Sequence, residues 1–217
     1  MGEITEQIRM WMGTFGKGYT DGNAVTVEQM DELYKKNYGV NGTELFEEFM
    51  GGLERSIKIL EVGSNIGNKL LVLQRMGFKY LYGIEINSYA IECAKANTKG
   101  INIIQANAFD IPFKDGFFDL VFTSGVLIHI APADIERAMW EIHRCSREYI
   151  WGFEYYADTY TEVKYRGHDN LLWKTDFANL YLSLFNDLEL VKEKRLKYLE
   201  NENVDTMFLL KKARCSE

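Results

Sequence analysis

The chain has 217 residues, 47% hydrophobic and 26% charged, which fits one packed domain with an extension and argues against long disordered linkers. Its 32 acidic and 25 basic side chains leave a net charge of -7, which weighs against a nucleic-acid groove or docking on an anionic membrane, both of which call for a basic face. Cys93, Cys145 and Cys215 are scattered with no CxxC pair and form neither a disulfide framework nor a zinc site; with no apolar run long enough for a bilayer and no signal-peptide core in MGEITEQIRM, the expected location is the cytoplasm.

Ile4, Ile8 and Trp11 sit at helical spacing. A glycine- and aromatic-rich stretch follows over residues 11–23, and an amphipathic helix is predicted over 27–38. Residues 1–55 thus read as a helical cap, with Gly51 and Gly52 as the joint to a second segment, 56–217. From Ser56 onward, strands and helices alternate. The apolar run 57–62 predicts a buried strand and 68–76 a helix stopped near Gly77. A strand is expected at 80–86 and a helix at 88–97, capped by Asn87 or Ser88. Strands at 101–105 and 118–123 follow. A helix opened by Pro132 and Asp134 carries Ile135, Ala138, Met139 and Ile142 on one stripe, and a fifth strand runs over 149–153. A helix at 175–185 and two strands at 189–199 and 205–212, joined by a polar turn, close the chain. The order predicts an α/β fold: a Rossmann-like, mostly parallel seven-stranded sheet with helices on both faces, a C-terminal antiparallel hairpin and the N-terminal cap.

Four segments at the carboxyl ends of these strands carry chemistry, where open parallel sheets hold ligands. The first is Glu61-Val62-Gly63-Ser64-Asn65-Ile66-Gly67. Its glycines permit a tight turn and the close approach of a ligand, while an acid at the strand end repels a pyrophosphate and suits an ammonium group. The glycines fall as G-x-x-x-G and miss the dinucleotide pattern G-x-G-x-x-G. The second is Glu85 with Ile86, an acid about twenty residues on, placed to accept both hydroxyls of a ribose. The third is Asn107-Ala108, where an amide offers a donor and an acceptor to an adenine edge, or alternatively starts a turn. The fourth runs from Phe118 through Ser124-Gly125 to His129.

This set resembles the class I S-adenosylmethionine-dependent methyltransferases over residues 56–156. Their loop is usually acid-x-G-x-G-x-G; here Asn65 takes the middle glycine's place. The resemblance implies a methyltransferase with S-adenosylmethionine held by Glu61, Gly63, Ser64, Asn65, Gly67, Glu85, Ile86, Asn107, Ala108, Ser124 and Gly125. More narrowly, Trp11-Met12-Gly13, Phe15-Gly16, Gly18-Tyr19-Thr20, the E-V-G-S-N-I-G loop and Arg166-Gly167-His168-Asp169-Asn170 resemble methylases associated with pseudaminic acid biosynthesis. That resemblance implies a sugar or nucleotide-sugar acceptor. Gly22 departs from it, since Arg is common there.

His129 is the leading candidate for a general base, because imidazole titrates near neutrality. Glu154 and Tyr155, after the fifth strand, are further catalytic candidates, with packing roles as the alternative for all three. Tyr19, Asn23, Tyr156, Arg166 and His168 are candidates for the acceptor site. His143, beside a core stripe, reads as structural. No metal constellation is present in the sequence. The expected partner is a small-molecule acceptor, with neither nucleic acid nor membrane, on a monomer or homodimer. Three other readings stay open: an NAD-type oxidoreductase or epimerase, a non-catalytic protein that binds an adenosyl ligand, and an enzyme that methylates protein.

Overall fold

Aliphatic side chains at Ile59, Leu60 and Val62 make Lys58–Val62 a strand, β1, buried at all but its first residue. The computed structural model describes residues 4–22 and 26–213, and the chain divides into two compact units, Met1–Asp110 and Ile111–Glu217. Asn23 and Cys215 lie outside the described residues.

In the first unit four helices precede β1: α1 (Glu6–Met12), α2 (Thr14–Gly22), α3 (Val27–Tyr38) and α4 (Gly42–Met50). Thr5 caps α1 by accepting from the Ile8 N–H. Thr26 and Gln29 form a reciprocal capping box on α3, which ends at Gly39 in the left-handed region. After β1 come α5 (Asn68–Arg75), β2 (Tyr80–Glu85), α6 (Ser88–Asn97) and β3 (Asn102–Gln105). β1 pairs with β2 and β2 with β3, both parallel. Leu70 and Leu73 of α5 and Ala90, Ile91 and Ala94 of α6 are the buried stripes of these helices, and Phe46 and Met50 of α4 join the core.

The second unit holds β4 (Phe118–Ser124), α7 (Ile135–Cys145), β5 (Ser146–Tyr155), a short hairpin of β6 (Thr161–Glu162) and β7 (Trp173–Lys174), α8 (Phe177–Leu184), β8 (Leu188–Lys197) and β9 (Val204–Lys212). β4 and β5 are parallel; β9 runs antiparallel to both β5 and β8. The strands form one seven-stranded sheet in the order β3-β2-β1-β4-β5-β9-β8, the mostly parallel α/β architecture expected from the strand–helix alternation. Gly152 of β5 is required by packing: a Cβ there would lie 2.1 Å from the Phe208 ring on its β9 partner strand.

Several elements differ from the sequence reading. Residues 14–22 are helical despite three glycines. The helix Gly42–Met50 and the β6–β7 hairpin add elements the periodicity did not mark. β5 starts three residues earlier and ends two later than the apolar run. Asn87, rather than Ser88, caps α6.

Candidate active site

The turn after β1 has the backbone its glycines foreshadowed. Gly63, Asn65 and Gly67 take φ values of +73°, +47° and +82°. Asn65 tolerates the left-handed region because its own Oδ1 accepts the Ile66 N–H at 3.0 Å. Glu61 is 1% exposed, and its Oε2 is buried with no hydrogen-bond partner, as is Ser64 Oγ three residues on. Burial pushes the Glu61 carboxyl up to about 8, against a smaller pull from Lys69. Gly83 on β2 makes room for this turn, since a Cβ there would fall 2.6 Å from Ser64 Oγ.

Glu85 ends β2 with both oxygens engaged. Oε1 accepts from the Ile86 and Asn87 N–H groups at 2.7 and 2.8 Å, and Oε2 from the Asn65 N–H at 2.8 Å. Burial raises its carboxyl, opposed by these three donors. The geometry fixes the rotamer and leaves spare lone-pair capacity on Oε2 for a ligand hydroxyl. Asn107 starts a turn: its Oδ1 accepts the Phe109 N–H at 2.7 Å and its backbone bridges to Asp110. That commits the amide oxygen, so an adenine contact would fall to the Nδ2 donor. Ala108 follows in the same turn. Tyr19 lies on α2 with its ring edge-on to Trp11 at 5.0 Å.

In the second unit, Ser124 ends β4 half-buried, and Gly125 turns the chain at φ +66° while its N–H reaches Phe153 O at 2.9 Å. The 3-10 turn Leu127–His129 follows. Glu154 on β5, 1% exposed, accepts from the Val126 N–H with both oxygens and from the Ile128 N–H. Burial raises its carboxyl to about 7, with these donors and Thr123 pulling it down. Its carboxylate is occupied in holding the loop. His129 is 8% exposed, its Nδ1 is 2.7 Å from Leu171 O, and its ring lies 5.0 Å from that of Tyr165. Burial holds the imidazole near 4, so it is neutral at physiological pH. Nδ1 then carries the proton to Leu171 O, and Nε2 is the basic nitrogen.

The other candidates are spread out. Tyr155 takes a hydrogen bond from Tyr198 at 3.4 Å and lies under the Lys174 ammonium, 5.0 Å from the ring centre. Tyr156 donates to Asp158 at 2.6 Å and stacks beneath the Arg195 guanidinium. Arg166 and Gly167, both at positive φ, form the tip of a tight turn closed by reciprocal backbone bonds between Tyr165 and His168; Arg166 and His168 are exposed. His143 pairs with Asp187 and stacks on Phe185, a packing role. Sequence reasoning gave no site role to Thr20, Asn87 or Leu171, whose parts depend on contacts far along the chain. Among the described residues, no three His, Cys, Asp or Glu side chains are grouped to hold a metal ion, and no helix is long and apolar enough to cross a membrane.

Residues 60–148 match the family model of a methyltransferase domain. An uncharacterised protein of Haemophilus influenzae is 28% identical over 100 residues, covering 43% of this chain and 40% of that protein. The sterol methyltransferase-like 1 of Botryococcus braunii is 29% identical over 98 residues, covering 42% and 25%. The matched stretch therefore spans well under two thirds of these relatives. Among solved structures, the 1,6-didemethyltoxoflavin-N1-methyltransferase of Burkholderia thailandensis, with bound 1,6-didemethyltoxoflavin and S-adenosylhomocysteine, superposes with a TM-score of 0.72. It is 13% identical, and the match covers 99% of this chain and 92% of that one, a likeness of fold.

Proposed function

We propose that this chain, whose residues 60–148 match the family model of a methyltransferase domain, is an S-adenosylmethionine-dependent methyltransferase acting on a small polar metabolite of the sugar or nucleotide-sugar class. The observation that carries the reading is the pair of unpartnered buried polar atoms at the turn after β1, Glu61 Oε2 and Ser64 Oγ, in the same unit as the oriented Glu85 carboxylate. Such a pair is costly unless a ligand completes it. An ammonium and a ribose diol are both groups that S-adenosylmethionine presents, the first suited to Glu61 and the second to Glu85. Gly63, Asn65 and Gly67 shape the turn, Ile86, Asn107 and Ala108 are the proposed adenine contacts, and Ser124 ends β4 with Gly125 turning the chain after it. Helices α1 and α2 contact this region through the Asn65–Thr20 and Asn87–Trp11 hydrogen bonds. The exposed Arg166 and His168, with Tyr156 in the same unit, are the proposed acceptor contacts.

When bound, the cofactor supplies a methyl group on a positive sulfur that departs as a neutral thioether. The chain's residues then have to orient an acceptor in line with the methyl carbon and exclude water. A hydroxyl acceptor must lose its proton as its oxygen bonds to that carbon; His129 Nε2 takes it, with Leu171 O holding the tautomer. Glu154 fixes the loop that carries His129, and Tyr155 is a wall of the acceptor site.

Thermal unfolding with S-adenosylhomocysteine and with NAD tests this. A ligand at a hundredfold its Kd adds about 2.7 kcal/mol, which at this size raises Tm by roughly 5–10 °C. A shift with S-adenosylhomocysteine alone is expected; a shift with NAD alone overturns the proposal in favour of an oxidoreductase.

A further inference from the structure

Both oxygens of Glu85 are tied, through two asparagines, to the N-terminal helices. Oε2 accepts the Asn65 N–H, and the Asn65 side-chain Nδ2 donates to Thr20 Oγ1 on α2 at 3.0 Å. Oε1 accepts the Asn87 N–H, and Asn87 Nδ2 donates to Trp11 O at the end of α1 at 2.8 Å. Thr20 is 1% exposed, and its hydroxyl donates to Gly16 O at 3.0 Å, which leaves its oxygen directed at Asn65. α2 sits flush here: a Cβ on Gly16 would lie 1.9 Å from Trp11 O and 2.7 Å from Asn87 Nδ2. A second contact on the same helix, Tyr89 OH donating to Asp21 at 2.6 Å, joins α2 to α6.

We infer that Thr20 and Asn87 are positioning residues that couple docking of helices α1 and α2 to the orientation of Glu85, so that the N-terminal helices act as a cofactor-gated cover. This rests on the reading of Glu85 as the ribose-binding acid. Each asparagine uses its backbone for the carboxylate and its side chain for the cover. A ligand that immobilises Glu85 therefore immobilises residues 6–22, and loosening those residues frees Glu85. The residue at 65 must have a side chain for this: glycine fits φ +47° but cannot reach Thr20.

The test compares wild type with T20V, T20S and N65G by S-adenosylhomocysteine calorimetry and by hydrogen exchange of residues 6–22. In wild type, the ligand is expected to slow exchange across 6–22. T20V, nearly isosteric and unable to accept from Asn65, is expected to raise the Kd roughly tenfold and to lose that protection. T20S, which keeps the hydroxyl, restores both. N65G keeps the backbone bond to Glu85 and should match T20V, with the double variant no worse than either single one. Binding and protection by T20V equal to wild type, or additive effects of T20V and N65G, overturn the coupling alone. Failure of wild type itself to bind S-adenosylhomocysteine overturns the cofactor reading and the coupling together.

Discussion

Glu154 Oε1 and Oε2 lie 3.2 and 3.0 Å from the Val126 backbone nitrogen, so one buried carboxylate holds the first N–H after Gly125. The same carboxylate reaches the Ile128 N–H, one residue before His129. E154A leaves these donors buried and unpaired, at about 1–3 kcal/mol each. We expect urea unfolding to show a loss of about 2–4 kcal/mol and a large fall in kcat. E154Q keeps one acceptor and should lose about half as much. If E154Q has native stability and no turnover, the carboxyl is acting in proton transfer instead of holding the loop.

The Glu61 carboxyl, raised by burial to about 8, predicts pH-linked binding. An ammonium group pairs with the ionised form, so binding at pH 7 must expel a proton. Affinity for S-adenosylhomocysteine is expected to rise up to about tenfold per pH unit between pH 6 and 8 and to level off above. Calorimetry in buffers of different ionisation enthalpy should count close to one proton released at pH 7. E61Q should flatten the dependence and bind weakly at every pH. A pH-independent Kd in wild type would detach Glu61 from the ligand.

Linkage gives the ligand-free protein a stability profile of definite sign. Glu61 and Glu154 are raised in the fold to about 8 and 7. Their contribution is therefore fully present below the ordinary carboxylate range and is lost as pH rises through those values. His129 is lowered to about 4, so its contribution is present above the ordinary imidazole value and is lost as pH falls from there toward 4. Of these three groups, the two carboxyls are the ones that titrate above pH 6.5. The Tm of the ligand-free protein should fall by several degrees between pH 6.5 and 8.5, about 1 kcal/mol corresponding to 2–4 °C. E61Q should remove most of that fall, and a Tm rising across the same window contradicts it.

The strands and the glycine turn were legible because each is a local pattern. Lys58–Val62 and Tyr80–Glu85 are short apolar runs with an acid at or next to the last residue, and Ser88–Asn97 follows a capping asparagine. α2 was not legible: Gly16, Gly18 and Gly22 lower its helix propensity, and what holds it is tertiary, the Thr20–Asn65 and Tyr89–Asp21 bonds. β6 and β7, two residues each, carry no period to detect. Glu154 and Tyr155, expected after the fifth strand, are instead its last two residues, because β5 runs two residues past the apolar run, and their partners were invisible. Nothing in the sequence says that Glu154 faces backbone N–H groups, or that Leu171, 42 residues away, fixes the tautomer of His129. Asn107 shows the converse, since the turn-forming alternative for it could be seen in the sequence and its oxygen is indeed used by Phe109.

His129 makes the sharpest mechanistic test. A base held near 4 is already deprotonated across the physiological range. The acid limb of kcat/KM should therefore sit near pH 4, where the fold itself is losing stability, with no inflection near 6.5. H129Q should lower kcat by about 10²–10⁴-fold with a hydroxyl acceptor and leave the Kd of S-adenosylhomocysteine within about twofold. With an amine acceptor that is neutral at the assay pH, no proton needs removing before attack, and the loss should shrink toward tenfold or less. An inflection near 6.5 in wild type would mean that a different group titrates in the rate-limiting step. Full turnover of H129Q across the pH range would remove the base and leave His129 as the buried partner of Leu171 that its Nδ1 bond shows it to be.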